Sequence, residues 1–171
     1  QISGGTYNLT TTDDSIHSNG SVSITGGTFT ISSGDDGIHA DSTVIIDDGT
    51  ITIIKSYEGI EGAYITINGG TIKVTSSDDG INVSDGTSST GMGGNTSSSS
   101  IYLKITGGNI YVNATGDGLD ANGSIYITGG TVYVDGPTAN NNAAIDYDSK
   151  FEITGGTVIA VGYSGMAENA T

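Results

Sequence analysis

Acidic residues recur along this chain at intervals of about 22 residues, in positions where their side chains are able to bind a cation. One column begins with Asp14 and Asp36, and another, three residues further on, begins with His17 and His39. Carboxylate and amide oxygens are the ligands of hard cations, and paired carboxylates also serve in acid-base catalysis. The two columns and a third set one residue earlier supply the candidate metal ligands: Asp13, Asp14, Asp35, Asp36, Glu58, Glu61, Asp78, Asp79, Asn82, Asp117, Asp120 and Asp146.

A glycine signature sets this interval. It reads ISGGTYNLT from Ile2 and ITGGTFTIS from Ile24, and further copies follow to the end of the chain. A repeat of this length is one supersecondary unit, which buries its apolar face only by stacking on its neighbours. The second glycines of the copies are Gly5, Gly27, Gly49, Gly70, Gly108, Gly130 and Gly156, so their spacings are 22, 22, 21, 38, 22 and 26 residues.

Three apolar patterns accompany each glycine pair and predict three short strands per repeat. Residues two and four places after the second glycine alternate inward, as Phe29 and Ile31 do, and so do those three and five places before it. A third apolar position lies eleven places after it, at Ile16 and Ile38. We predict an all-β, right-handed parallel β-helix of about seven coils, in which each glycine pair forms a tight bend with positive φ. Leucine-rich repeats, propeller blades and calcium-binding nonapeptide rolls fit this pattern less well.

The regular repeat predicts a single domain over residues 1–171. Its ends fall inside repeats, so we expect a fragment that lacks the caps of a solenoid. The spacing of 38 residues contains an insertion at 85–100, which we expect to be a flexible loop rich in glycine and serine.

The charge balance restricts the partners. The chain has 19 acidic residues, four lysines and no arginine, which gives a formal net charge of -15. Nucleic acids and anionic membrane surfaces are therefore unsuitable partners, and cations are favoured. No apolar stretch reaches the length of a membrane-spanning helix, and the absence of cysteine is compatible with secretion. We expect an extracellular or cell-surface protein.

Calcium fits the acidic columns best. Equivalent residues of stacked coils lie about 4.8 Å apart, and calcium binds oxygen ligands at about 2.3 to 2.6 Å, so one ion spans two coils. Magnesium and zinc fit this spacing and this ligand set less well. We predict several Ca²⁺ ions: one near Asp36, His39, Glu58 and Glu61, one near Glu58, Glu61, Asp78, Asp79 and Asn82, and one near Asp79, Asn82, Asp117 and Asp120, with Asp146 and Asp148 extending the series. The alternative is that these acidic residues only cap backbone N–H groups in turns.

The recurring Asp-Asp-Gly-Ile element on a 22-residue coil resembles a family of secreted clostridial β-helix proteins described as carbohydrate-binding, which is related to the family 9 pectate lyases. The resemblance covers nearly the whole chain. It implies calcium along the helix and binding of cellulose and polygalacturonate without catalysis. The closest matches to the lyase calcium motif are Asp78-Asp79-x-x-Asn82 and Asp117-x-x-Asp120, and both are imperfect.

The positions of the lysines favour a binding protein over an enzyme. A polysaccharide lyase needs a basic residue beside its calcium, and none of the four lysines falls in an acidic column. We therefore predict no catalytic residues, and the family resemblance implies a plant cell-wall polysaccharide, acidic or cellulosic, as the partner. A pectate-lyase-like enzyme and a cell-surface adhesin or structural spacer are the alternatives, and the sequence leaves the oligomeric state open. The candidate sugar-binding residues are two tyrosine pairs and a lysine: Tyr111, Tyr133, Lys73, Tyr64 and Tyr102.

Overall fold

The computed structural model describes residues 1–86 and 100–171, and it is a parallel β-solenoid of about seven coils. The predicted fold class and coil length are confirmed. Most of the predicted loop at 85–100 lies outside the described residues. The strands are β1 (Ile2–Thr10), β2 (Ile16–Ser18), β3 (Ser21–Ser32), β4 (Ile38–Lys55), β5 (Ile60–Ile67), β6 (Thr71–Ser76), β7 (Ile81–Val83), β8 (Tyr102–Ile105), β9 (Asn109–Ala114), β10 (Leu119–Ala121), β11 (Ser124–Ile127), β12 (Thr131–Asp135), β13 (Ile145–Tyr147), β14 (Lys150–Ile153) and β15 (Thr157–Val161).

The strands form three faces along the solenoid. The first face contains β6, β9, β12 and β15, and the second contains the end of β5 with β8, β11 and β14. The third face contains β2, the starts of β4 and β5, and then β7, β10 and β13. Each of its strands follows a turn that contains Asp14 or the equivalent residue of another coil, and we call these the acidic turns. All of these pairings are parallel, so each side chain lies beside its equivalent in the next coil.

Strand boundaries differ between the early and the late coils. In the first coils, strands of neighbouring faces are continuous, and β4 alone runs for 18 residues through all three faces. From β6 onward each face has a separate strand of three to six residues. The prediction of three short strands per coil therefore describes the later coils, whereas bridging hydrogen bonds continue through the glycine bends of the earlier ones.

Stacked isoleucine and valine side chains form the core. The column Ile24, Ile46, Ile67, Ile105 and Ile127 is completely buried, and so is Ile38 with Ile60 and Ile81 on the third face. Fully burying one such side chain contributes about 1.5 to 3 kcal/mol. Because one continuous column holds neighbouring coils in register, it also fixes the relative height of the acidic turns.

Two sets of glycines allow the coils to stack closely. The second glycine of every signature has positive φ, from 83° at Gly130 to 124° at Gly49, as predicted. The glycine of the Asp-Asp-Gly element is required for a different reason: a Cβ on Gly80 would overlap the Gly118 carbonyl oxygen and a Val112 methyl group. Side chains are excluded there, so the acidic turns of successive coils come into contact. No helix among the described residues is long and apolar enough to cross a bilayer.

Candidate functional site

The acidic turns are joined to one another by their own carboxylates. Oδ1 of Asp14 accepts a hydrogen bond from the Asp36 backbone N–H at 3.0 Å, and Oδ1 of Asp36 accepts one from Glu58 at 3.2 Å. Asp79 accepts one from Asp117 at 2.6 Å, and Asp117 accepts one from Ala143 in the same way. The capping role considered from the sequence is thus present. It uses one oxygen of each carboxylate, so the second oxygen is left for another ligand.

At the N-terminal end of the column, histidines occupy that second oxygen. Oδ2 of Asp14 lies 2.7 Å from Nδ1 of His17 and 3.2 Å from Nδ1 of His39. Burial alone raises the pKa of Asp14, but the hydrogen bonds from His17, from the Asp36 backbone and from His39 outweigh it, so the pKa is lowered. This part of the column borders an open pocket of about 470 Å³, whose lining includes Asp13, Asp35 and Tyr57.

In the middle of the column, carboxylates face one another, and His39 lies farther from them than from Asp14: its ring nitrogens are 3.7 Å from Oδ2 of Asp36 and 3.6 Å from Oε2 of Glu61. Burial raises the pKa of Glu58 to about 8, and the charges of Glu61, Asp36 and Asp79 raise it further against the hydrogen bond from Asn82. Burial also raises the pKa of Glu61 to about 8, and a hydrogen bond shared with Asp36 adds to this. One ligand atom each from Asp36, His39 and Glu61 lies within 4.8 Å of the others. This is the first predicted calcium site.

The C-terminal part of the column has oxygen ligands only. One oxygen each from Asp117, Asp120 and Asp146 lies within 4.8 Å of the others. Burial raises the pKa of Asp120 to about 8, with further increases from the charges of Asp79, Asp117 and Asp146, and it raises the pKa of Asp79 to about 6. The structure therefore brings together Asp117 and Asp120 of the third predicted site with Asp146, which was expected to extend the series.

Asn82 lies between these two groups and has an unsatisfied oxygen. In register it pairs with Glu61 of one neighbouring coil and Asp120 of the other. Its Nδ2 donates to Oε2 of Glu58 at 2.8 Å, but its buried Oδ1 has no hydrogen-bond partner, and the residue is only 8% exposed. Leaving such an oxygen unpaired costs about 1 to 3 kcal/mol. A cation is a natural partner for an acceptor surrounded by carboxylates.

The third set of predicted ligands lies further from the column. Asp13 and Asp35 are exposed and border the N-terminal pocket, with one oxygen each close to Asp14. Asp78 is half-buried and hydrogen-bonds the Tyr57 hydroxyl, whose pKa this contact raises to about 12. Tyr57 was not predicted from the sequence, since its position in the repeat is otherwise occupied by small residues and aspartate.

The tyrosine pair on the first face forms a parallel stack. The Tyr111 and Tyr133 rings are stacked with centroids 5.4 Å apart and planes 7° from parallel, and Lys73 lies 5.5 Å from the centre of the Tyr111 ring. The predicted column of Lys73, Tyr111 and Tyr133 is confirmed by the register. However, each ring covers a face of its neighbour, so the stack offers little free ring face for a sugar.

The second face carries a different aromatic arrangement. Tyr64 and Tyr102 pair in register as predicted, with ring centroids 5.4 Å apart, but their planes are inclined at 63°. Next to them is a groove of about 410 Å³ lined by Tyr102, Lys104, Tyr126 and Thr128. We call it the tyrosine–lysine groove. The sequence prediction did not include Lys104 and Tyr126, although both lie four residues before a second glycine and therefore share a column.

Comparison with protein families identifies the class to which this solenoid belongs. The model of a family described as carbohydrate-binding domain-containing protein matches residues 1–100 and, in a second overlapping match, residues 35–170. Together these matches span nearly the whole chain, and their overlap is expected of a repetitive sequence. The chain belongs to this carbohydrate-binding domain-containing family, which indicates a polysaccharide partner and a binding role. Comparison with curated proteins and with solved structures gave no match.

Proposed function

We propose that this protein is an extracellular, calcium-dependent binder of acidic or cellulosic plant cell-wall polysaccharide and that it has no catalytic activity. The observation that carries the calcium assignment is the unpaired, buried Oδ1 of Asn82 between Glu61 and Asp120. A turn that only capped backbone N–H groups would not need a buried acceptor without a donor. Carbohydrate binding itself is supported by the family to which the chain belongs.

The ligand set favours calcium over other cations. The C-terminal half of the column provides carboxylate oxygens from Asp79, Asp117, Asp120 and Asp146 and the amide oxygen of Asn82. Calcium accepts six to eight oxygen ligands with variable geometry, whereas magnesium requires a small, regular octahedron. Extracellular calcium modules bind at about 10⁻⁴ to 10⁻³ M, and we expect affinities in this range.

Calcium also explains how a protein with a net charge of -15 binds an anionic polymer. Partly open sites along the acidic column leave ligand positions on the ion free. A uronate carboxylate would occupy such a position, so each ion would connect a protein carboxylate to the polysaccharide. This model predicts that calcium contributes to the retention of polygalacturonate more than to that of neutral cellulose.

The position of the lysines supports binding without catalysis. Lys73 lies on the first face, and Lys104 and Lys150 lie on the second, each paired in register with residues remote from the acidic turns. Lys55 ends β4 three residues before Glu58, and it pairs in register with Ser32 on the first face. A lyase reaction needs a base beside the metal to remove a proton from the sugar, and the described third face has no lysine.

Calcium titration and polysaccharide retention test this proposal together. We expect isothermal titration to detect calcium binding and the thermal midpoint to be higher in calcium than in EDTA, because ligand binding to the folded state stabilises it. On an affinity gel containing polygalacturonate, we expect calcium to retard the protein and EDTA to abolish most of the retardation. An unchanged midpoint in EDTA would refute the calcium assignment. Undiminished retention in EDTA would refute the bridging model, and the absence of retention on both polymers would refute the proposed partner.

A further inference from the structure

The second face contains a groove whose chemistry differs from that of the rest of the molecule. Tyr102 and Lys104 project from β8, and Tyr126 projects from β11 in the next coil, where it pairs in register with Lys104. The groove between them has a volume of about 410 Å³. Binding sites for small ligands have volumes of roughly 300 to 1,000 Å³, so the groove is large enough for sugar units.

The charge of the groove is opposite to that of the protein as a whole. Two of the four lysines are on this face, while the net charge of the chain is -15. Lys150 forms an ion pair with Glu152 at 2.8 Å and lies 5.9 Å from the centre of the Tyr126 ring. Within residues 1–86 and 100–171, Lys104 makes no ion pair. Its exposed ammonium group is therefore available to an anion from solution.

The ring geometry separates this groove from the tyrosines of the first face. Tyr111 and Tyr133 are nearly parallel and cover each other, whereas Tyr102 is inclined at 63° to Tyr64 and borders open space. Sugars stack their C–H faces on free aromatic faces, and tyrosine is enriched in binding sites because its large ring loses little conformational entropy. Lys104 lies two residues after Tyr102 on β8 and beside Tyr126 in register, so a sugar stacked on either ring would have its substituents near the ammonium group.

We propose that the tyrosine–lysine groove is a binding subsite for a uronic acid unit, in which Tyr102 and Tyr126 contact the sugar ring and Lys104 pairs with its carboxylate. This subsite is independent of the acidic column, and its contacts need no calcium. The inference rests on the proposed function only in assuming that the partner is a carbohydrate. It commits to an acidic sugar because a neutral one would leave Lys104 without a partner.

Matched variants on the two faces test the groove. The substitutions Lys104→Gln and Tyr126→Ala change it, and Lys73→Gln and Tyr133→Ala make the same changes on the first face. Binding of a purified oligogalacturonate and of its uncharged methyl ester would be measured by titration calorimetry on the calcium-loaded protein. We expect Lys104→Gln to weaken binding of the acid by roughly two- to fivefold, the effect of one exposed ion pair, and to leave the ester unaffected. Tyr126→Ala should weaken both ligands by at least about fivefold.

The first-face variants should change either affinity by less than about twofold, as is usual for surface positions outside a site. Loss of binding in Lys73→Gln and Tyr133→Ala, or unchanged binding in the groove variants, would overturn the assignment while leaving the proposed function intact. If the wild-type protein binds neither oligosaccharide nor polymer, the proposed function fails and the subsite fails with it. Tyr126→Phe controls for folding: it keeps the ring, so it should bind like the wild type, and a loss equal to that of Tyr126→Ala would also overturn the assignment.

Discussion

The two halves of the acidic column differ in the side chains that lie beside their stacked carboxylates. In the N-terminal half, two histidines contact Asp14, and its pKa is lowered despite burial. In the C-terminal half, the positions of the histidines are taken by Asn82, Asp120 and Asp146, and the pKa of Asp120 is raised to about 8. The backbone capping by aspartate is the same in both halves.

This difference separates a structural role of the carboxylates from a binding role. Where a side chain of the protein already satisfies the second oxygen, the carboxylate is stable without a ligand. Where none does, the carboxyl groups lie close together, so ionising them costs free energy, and a bound divalent cation would offset that cost. We therefore expect calcium to bind most strongly in the C-terminal half, and the predictions below compare the halves.

The largest expected effect is on calcium affinity. The double variant Asp79→Asn and Asp120→Asn removes two charged ligands from the uncompensated half, and ligand charge is a main determinant of calcium affinity. We expect its tightest site to weaken by about 100-fold, equivalent to about 2.7 kcal/mol. The matched double variant Asp14→Asn and Asp35→Asn changes the net charge equally and should change that affinity by about threefold or less. Titration calorimetry measures both, and equal losses would show that the halves do not differ.

The second prediction concerns the pH dependence of stability in EDTA. Glu58, Glu61 and Asp120 have pKa values of about 8 in the folded protein, above their ordinary values of 4.5, 4.5 and 3.8. Between those limits the folded state binds more protons than the unfolded state, so the free energy of unfolding falls as pH rises from about 5 to 8. A net difference of one proton corresponds to about 1.4 kcal/mol per pH unit, and solvent screening should reduce this.

Thermal midpoints recorded across this pH range in EDTA and in calcium provide the measurement. Calcium should reduce the decline, because it keeps the same carboxylates ionised in the folded state. A midpoint in EDTA that is constant or increases from pH 5 to 8 would contradict the view that these groups repel one another.

The smallest expected effects are on the free energy of unfolding of two single variants, and they should have opposite signs. In EDTA at neutral pH, Asp14→Asn should lower the free energy of unfolding by about 1 kcal/mol, since it removes the charged acceptor of two histidine contacts. Asp120→Asn should raise it by roughly 1 kcal/mol or less, since it removes a buried carboxyl group that has no cationic partner and that takes up a proton when the chain folds. Chemical denaturation of the two variants is sufficient to compare them. If both substitutions shifted stability in the same direction, the proposed division of the column would be wrong.

The fold was predictable from the sequence because it depends on periodicity. Counting from the second glycine of each signature places Ile24 beside Ile46 and Tyr111 beside Tyr133, and the observed register agrees. The positive φ of Gly49 and its equivalents follows from the same bend. Parallel stacking fixes the register of the strands, because a shift of one residue would turn the isoleucine column toward solvent.

The details of the site were less predictable because they depend on side-chain orientation and depth. The sequence places Asn82 in the column but does not show that its Oδ1 is buried and unpaired. It also places two tyrosine pairs on outward positions without indicating that one stack is closed and the other borders a groove. Lys104 and Tyr126 could have been found by counting columns, since they pair in register, but counting alone gives no reason to prefer them.

The capping bonds between acidic turns have a consequence for the evolution of the chain length. Asp14 caps a residue of the second coil, Asp36 one of the third, and Asp79 one of the next coil after 38 residues of chain. In each of these pairs one coil provides the carboxylate acceptor and the next coil provides the backbone N–H group. Duplication or loss of a whole repeat preserves this order, whereas a partial repeat breaks it. The number of proposed cation positions would therefore change by one coil at a time, and avidity for a long polymer would grow in the same steps.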